Sequence, residues 1–290
     1  MTQQLALVRR ELWEHRSIWL TPVVVGLIVT LLLIAAIVAA SFYPDYVDIS
    51  ILIAGNIGGS AEREAVLAKV LVGNTAVFTI AMGFLTTFYC LDALHSERKD
   101  RSILFWRSLP VTDVETVVSK LLTAIILIPL VTFAAVAVSQ LINLALLSIF
   151  VSVQGGNAGH IIWSSLPLLS TWIATLIVLL AIPLWISPFL GWFLFVSSWT
   201  SRGPFLVAFL PLAIVPLLEF VISGGRSHML YDALIALLTN IKELLGNGNN
   251  MLESLDLGAF LMSVELWVGL IVCGLFTTAA IYVRRYSDDS

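Results

Sequence analysis

Residues 18–42 read IWLTPVVVGLIVTLLLIAAIVAASF, and no charged residue occurs between Arg16 and Asp45. A helix needs about 20 apolar residues to cross about 30 Å of hydrocarbon. A helix on the surface of a soluble core shows a polar face at every turn, and this stretch shows none. We therefore interpret residues 18–42 as a membrane span.

Charge-free stretches of this kind recur along the chain. No charged residue lies between Lys69 and Asp92, and between Lys120 and Arg202 only His160 could carry a charge. Of the 290 residues, 59% are hydrophobic and 12% are charged, and the mean hydropathy is +0.98. Average soluble domains carry about twice this share of charge. The sequence therefore predicts an all-α integral membrane protein.

The number of spans depends on residues 161–201, which form one kinked span or two short ones around Pro183 and Pro188. The other predicted spans are 18–42, 70–91, 121–153, 205–222 and 262–283. If 161–201 is one span, 11 of the 15 Lys and Arg residues lie on the side of the two termini. Two spans would weaken this bias. The positive-inside rule therefore favours six spans with both termini in the cytoplasm.

Two segments beside the spans are amphipathic. In residues 2–17, apolar and charged residues fall on opposite sides of a helix, which predicts a helix lying at the membrane surface. The alternative is a solvated extension of the first span. Residues 226–245 have a similar pattern and predict a helix on or dipping into the outer interface, within an extracytoplasmic segment over 224–261.

The long charged block of the chain covers residues 92–120. Its residues 97–101 are predicted to be solvated. Farther along, Phe105 and Trp106 stand beside Arg107, and aromatic rings with arginine are typical of residues that dominate protein–protein interfaces. This block is a docking surface or, alternatively, a loop whose aromatic side chains lie on the membrane.

A helix is predicted to begin near the end of the same block. Thr112 and Glu115 have the spacing of a capping box, in which each residue satisfies a backbone N–H of the other. The helix can continue through Lys120 into the third span. Pro129 is a candidate position for a kink in that span.

The sequence contains no motif for phosphate binding, dinucleotide binding, metalloprotease zinc or a serine nucleophile. His15, His95, His160 and His228 fall in four different segments, so they do not predict one metal site. No basic tract suggests nucleic acid. We therefore expect no catalytic residue, metal or cofactor on this chain.

Few polar residues are predicted to lie inside the spans. Glu219 is a candidate for a substrate path, because a carboxylate at depth is costly; the alternative is that it reaches the outer interface. Gln140 and Asn143 lie one helical turn apart in the third span. They are candidates for the same path, although such residues more often form interhelical hydrogen bonds.

The run Glu97–Thr112, ERKDRSILFWRSLPVT, followed by Lys120-Leu-Leu, resembles the permeases of ABC-2 type transporters. The likeness also covers the helix before the first span, the six-span layout and the segment before the last span. It thus extends over nearly the whole chain, although only the run from Glu97 is specific at the level of residues.

The resemblance implies a fold and a set of partners. Residues 1–17 would be an interfacial elbow helix, and residues 18–290 one six-span domain with a cytoplasmic coupling loop over 92–120. Two such permeases, expected as a homodimer or close heterodimer in a bacterial inner membrane, would pair with two ATPase subunits that bind ATP and Mg. The coupling residues carried over onto this chain are Glu97, Arg98, Asp100, Arg101, Phe105, Trp106, Arg107, Leu109, Pro110 and Thr112.

The predicted function is therefore a permease subunit, most simply of an exporter, with ATP hydrolysed on a separate chain. Two other classes remain as alternatives. One is a membrane-embedded enzyme that uses Glu219, His160 and His228. The other is a membrane anchor that recruits a soluble partner through residues 92–120 and transports nothing.

Overall fold

Helices make up the elements of the chain that the computed structural model describes, and no strand occurs among the described residues. These residues are 2–42, 60–99, 112–166, 168–200, 203–223, 232 and 257–286. The helices, in chain order, are α1 (Thr2–Glu14), α2 (Ser17–Phe42), α3 (Ser60–Asp92), α4 (His95–Lys99), α5 (Asp113–Leu122), α6 (Ile128–Val153), α7 (Ala158–Ile161), α8 (Leu168–Trp185), α9 (Ser187–Trp199), α10 (Pro204–Ile222), α11 (Leu257–Met262) and α12 (Val264–Tyr286). A π-helical turn (Thr123–Leu127) joins α5 to α6.

Six helical stretches are long and apolar enough to cross a membrane, as the six-span prediction requires. They are Ser17–Phe42, Leu67–Lys99, Asp113–Val153, Leu168–Trp185, Pro204–Ile222 and Val264–Tyr286. By helix length and composition the chain is a multi-pass membrane protein. The helix predicted before the first span is present as α1, and its position at a membrane surface stays a prediction.

The second span belongs to a longer helix than the sequence suggested. α3 begins at Ser60, well before the apolar stretch over 70–91. Its first turns carry Glu62, Arg63 and Glu64, which are compatible with a helix but not with a span. The stretch between the predicted spans 18–42 and 70–91 is therefore helical from Ser60 onward.

The capping box predicted for the third span is present. The Thr112 hydroxyl accepts a hydrogen bond from the backbone N–H of Glu115 at 3.2 Å, and the Glu115 carboxylate accepts one from the backbone N–H of Thr112 at 2.9 Å. Helix α5 begins at the next residue, Asp113. The π-helical turn that follows ends just before Pro129, which cannot donate to the carbonyl four residues earlier.

The overlong stretch over 161–201 forms two helices, α8 and α9. The chain leaves helical geometry at Ile186 (φ −85°, ψ 10°), between Pro183 and Pro188. Proline lacks the backbone N–H that a continuous helix needs, and two prolines five residues apart favour a break between them. Of these two helices, only Leu168–Trp185 is long enough to cross a membrane. The stretch 161–201 therefore contributes one span, as the six-span prediction requires.

Helices α9 and α12 pack closely because glycine lies at their contacts. A Cβ atom on Gly191 would be 3.0 Å from both the Cα and the carbonyl oxygen of Cys273. A Cβ atom on Gly269 would be 3.1 Å from the ring of Pro188. Small residues allow helix backbones to approach in this way. Cys273 and Cys90 are buried and free.

The spans differ in how much of them the protein covers. Only 6% of the apolar windows of α2 and α10 is buried, against 50% in α8 and in the span that contains α3. Apolar side chains on a lipid-facing helix need no protein cover. Helices α2 and α10 therefore lie at the periphery, and α3 and α8 lie inside the bundle.

The amphipathic helix predicted over 226–245 lies outside the described residues, apart from Asp232. The described part of the segment 224–261 that precedes the last span is the start of α11.

Candidate functional site

Charged side chains from four helices meet at one end of the bundle, which we call the charged end. They come from α1, α4, α5 and α12. We refer to them together as the charge cluster: Arg10, Glu11, Glu97, Asp113, Lys120 and Arg284.

Lys120 lies at the centre of the charge cluster. Its side chain is 0% exposed, and its Nζ atom is 3.1 Å from Glu11 Oε1 and 3.0 Å from Glu97 Oε1. Lys120 is in the last turn of α5, directly before the apolar residues of the third span. One ammonium group thus connects α1, α4 and the helix that leads into the membrane.

Glu97 is the carboxylate with the largest number of cationic partners. Besides Lys120, it accepts a hydrogen bond from Arg284 Nη1 at 2.7 Å and lies 3.5 Å from Arg10 Nη2. The prediction that residues 97–101 are solvated is wrong for Glu97, whose side chain is 2% exposed. Cations from three other helices take the place of water around it.

Arg284 contacts residues on both sides of the segment 100–111. Its Nε atom donates a hydrogen bond to Asp113 Oδ1 at 3.0 Å, while its Nη1 atom binds Glu97. Glu97 precedes residues 100–111, and Asp113 follows them. Although expected to end the last span at the interface, Arg284 is 5% exposed, and α12 continues to Tyr286.

Helix α3 joins the charge cluster through Glu11. The Tyr89 hydroxyl donates to Glu11 Oε2 at 2.7 Å, and His15 Nε2 lies 3.7 Å from the same oxygen. The rings of Tyr89 and His15 contact each other edge to face, with centroids 5.1 Å apart.

In the cluster Arg10, Lys120 and Arg284 face Glu11, Glu97 and Asp113, and Arg10 also pairs with Glu14 at 2.8 Å. Removing one partner of such a buried pair costs about 3–5 kcal/mol, because it leaves a charge without compensation. Relative motion of the four helices would separate the same charges. The cluster therefore acts as a stiff joint between them.

A second set of hydrogen bonds fixes α4 to the end of α9. The Ser197 hydroxyl accepts from the backbone N–H groups of Leu94 and His95, at 3.1 and 2.9 Å. Arg98 Nη1 donates to the Ser198 carbonyl at 2.6 Å, and His95 Nδ1 is 3.0 Å from the Thr200 carbonyl. The chain is thus anchored directly before the coupling residues.

The predicted coupling residues divide into two groups. Glu97 and Arg98 are anchored as described, and Thr112 is the exposed cap of α5. The others lie outside the described residues: Asp100, Arg101, Phe105, Trp106, Arg107, Leu109 and Pro110.

Gln140 connects three spans. Its Nε2 atom donates to the Thr75 hydroxyl at 3.2 Å and to the Leu71 carbonyl at 3.3 Å, both in α3. Its Oε1 atom accepts from the indole N–H of Trp172 in α8 at 2.8 Å. This geometry is that of an interhelical hydrogen-bond partner, and a role of Gln140 in a substrate path stays a prediction.

Asn143 and Glu219 do not join Gln140 in one site in the described structure. Asn143 donates to the Ser139 hydroxyl of its own helix at 3.4 Å. Glu219 is half-buried one turn before the end of α10. Helix α10 begins at the charged end, where Phe205 stacks on Phe88, so Glu219 lies toward the opposite end.

Sequence reasoning missed Arg10, Glu11, Asp113, Lys120 and Arg284 as members of a site. A signal existed for Lys120 and Arg284, because both are charged residues next to the apolar sequence of a span, where a charge is costly without a partner. The sequence does not show which charged residue pairs with which.

No protein-family model, no curated protein and no solved structure matches the chain. A function for this chain therefore has to follow from its own residues and contacts.

Proposed function

We propose that this chain is the membrane-spanning permease subunit of an ABC-2 type transporter, working as an exporter with ATP hydrolysed on a separate subunit. The observation that supports this most is the double contact of Arg284. Because Arg284 binds both Glu97 and Asp113, the two described flanks of the predicted coupling loop are held at one point.

A loop held in this way can pass a force from a bound partner to the helices at its two ends. Force applied to the loop reaches Asp113 and Lys120 directly, and α5 continues through the π-helical turn into a helical stretch that ends at Val153. Glu97 carries the same force to Arg284 and hence to α12. A partner that pulls on this loop would move α1, α4, α5 and α12 together, because the charge cluster joins these four helices.

In this proposal the coupling residues have two tasks. Glu97 and Arg98 hold the base of the loop, whereas Phe105, Trp106 and Arg107 contact the ATPase. The remaining coupling residues, Asp100, Arg101, Leu109, Pro110 and Thr112, complete that docking surface.

The assembly would contain two permease chains, most simply a homodimer, and two ATPase subunits that bind ATP and Mg. Helix α1 would lie at the inner surface as an elbow helix. The charged end and both termini would face the cytoplasm of a bacterial cell, which agrees with the distribution of Lys and Arg.

Co-purification from native membranes tests this proposal. Tagged wild-type protein should retain a partner that contains a Walker motif and hydrolyses ATP. Trp106→Ala and Arg107→Glu should release that partner without lowering the unfolding temperature. Trp163→Ala is the matched control, because Trp163 is an exposed tryptophan after α7, far along the chain from the loop.

Two results would contradict the proposal: a wild-type preparation without any such ATPase, or loop variants that retain it as the wild type does. The anchor alternative predicts the same capture, but adding the permease should then leave the ATPase rate of the partner unchanged. A transporter is expected to change that rate.

A further inference from the structure

A cavity of about 670 Å³ opens at the charged end, between the start of α2, the last three turns of α3 and the start of α10. Its volume is within the range of small-molecule sites, about 300–1,000 Å³. Among the described residues, no member of the charge cluster lines it, and Asp92 is the one lining residue from the charged block 92–120. The cavity therefore calls for a separate explanation.

Aromatic rings form much of the cavity wall. Phe88 and Phe205 are stacked with centroids 5.9 Å apart, and His15 packs against Tyr89. Phe84 and Phe88 are 64% and 56% exposed, so their rings are available to a ligand. Such a wall suits an alkyl chain, and ring faces also attract cations.

Asp92 is the single carboxylate among the lining residues that the structure describes, and these described residues include no lysine or arginine. It is the exposed last residue of α3. His15 is already directed at Glu11. Arg16, the next residue, is exposed and is not part of the lining. The charge inside the cavity is thus complementary to a cation.

We propose that this cavity binds an amphiphile with a cationic, ammonium-type headgroup. Asp92 and the neighbouring rings recognise the headgroup, and the phenylalanine side chains contact the chain. The ammonium could belong to a membrane lipid or to a free amphiphilic compound. The proposal concerns binding alone and does not require the chain to be a permease.

The occupant would contact the charge cluster through two side chains. His15 and Tyr89 line the cavity, and both contact Glu11 Oε2. A ligand that binds only the folded state raises its stability. Binding is therefore also expected to raise the unfolding temperature.

The test uses three photoreactive probes on the protein in phosphatidylglycerol nanodiscs. Each probe has the same dodecyl chain and carries a trimethylammonium, hydroxyl or phosphate headgroup. We expect the trimethylammonium probe to label peptides around residues 81–92 saturably and several-fold more than the other two. Asp92→Asn should weaken its binding roughly fivefold, the size of one exposed charge contact.

Two further variants are measured with the same probes, one as a control and one as a second test of the cavity. Glu64→Gln removes an exposed carboxylate from the opposite end of α3 and should leave labelling unchanged. Phe88→Ala removes an exposed ring from the wall and should lower labelling, so the test does not depend on Asp92 alone. Equal labelling by all three probes, preference for phosphate, or wild-type labelling of both Asp92→Asn and Phe88→Ala would overturn the proposal.

Repeating the measurement in phosphatidylcholine nanodiscs identifies the source of the headgroup. A lipid site would show weaker labelling there, because the choline lipid competes with the probe. Unchanged labelling would assign the site to a free amphiphile. Either result, with the trimethylammonium preference intact, supports a cationic-headgroup site.

Discussion

The side chain of Lys120 lies in a place where no solvent reaches it. An isolated ammonium in such a place would be very costly, and the cost is offset only by partners with good geometry. Glu11 and Glu97 supply these partners from two other helices, at 3.1 and 3.0 Å. The position of this one side chain thus depends on three helices being assembled.

Replacing Lys120 by methionine removes the charge and shortens the side chain by a single heavy atom. Lys120→Met is expected to destabilise the protein by about 3–5 kcal/mol, because Glu11 and Glu97 lose the cation they share. The measurement is the unfolding temperature of the purified protein in detergent.

Lys99→Met is the matched control for this substitution, because Lys99 is an exposed lysine at the end of α4. It should leave the unfolding temperature almost unchanged. If Lys120→Met unfolds at the same temperature as Lys99→Met, the charge cluster does not hold these helices together.

At the scale of the elements, the contact between α9 and α12 is the tightest. Of the glycines that the structure describes, the one at this contact brings two helix backbones closest together. The contact depends on Gly191, which faces the backbone of Cys273. Backbone atoms cannot move aside as the end of a side chain can. A methyl group at this position must therefore push the two helices apart.

Gly191→Ala is expected to destabilise the protein by about 1–3 kcal/mol, the usual cost of overpacking. Gly274→Ala is its control on α12, the other helix of this pair, since a Cβ atom there meets nothing within 4 Å. Gly274→Ala should be neutral or slightly stabilising, because alanine favours a helix. Both are measured as unfolding temperatures, and equal values would contradict the close approach.

For the molecule as a whole, the sequence predicted those features that depend on a short stretch of neighbouring residues. Charge-free runs predicted the six spans, and the spacing of Thr112 and Glu115 predicted the start of α5. The early start of α3 at Ser60 was not predicted, because its first turns are polar and carry no membrane signal.

The charge cluster could not be predicted in the same way. Arg284 and Glu97 are 187 residues apart, and Lys120 and Glu11 are 109 apart. No spacing rule relates residues at such separations, so the partners of these charged residues were not predicted. The partners become visible only when the helices are packed.

The proposed orientation can be tested with single cysteines at the two ends of the bundle. The two native cysteines should react little with the maleimide, because Cys90 and Cys273 are 0% and 3% exposed. Gln154→Cys, in the turn after α6, should react with a membrane-impermeant maleimide in intact cells. Lys99→Cys, at the charged end, should react only after the membrane is opened.

The unsubstituted protein should stay unlabelled under both conditions. A reversed pattern, with Lys99→Cys labelled in intact cells, would place the loop outside the cell and exclude an intracellular ATPase as its partner.

The double contact of Arg284 also sets an order of events during synthesis. A ribosome adds about 5–20 residues per second, so the 187 residues from Glu97 to Arg284 take roughly 10–40 s. Once Asp113 has been added, early in that interval, Glu97 and Asp113 are both made while the arginine that joins them is not. The pair of Lys120 and Glu97 can already connect the two flanks of the predicted loop at that stage, and the contacts of Arg284 are added last, when α12 has been inserted.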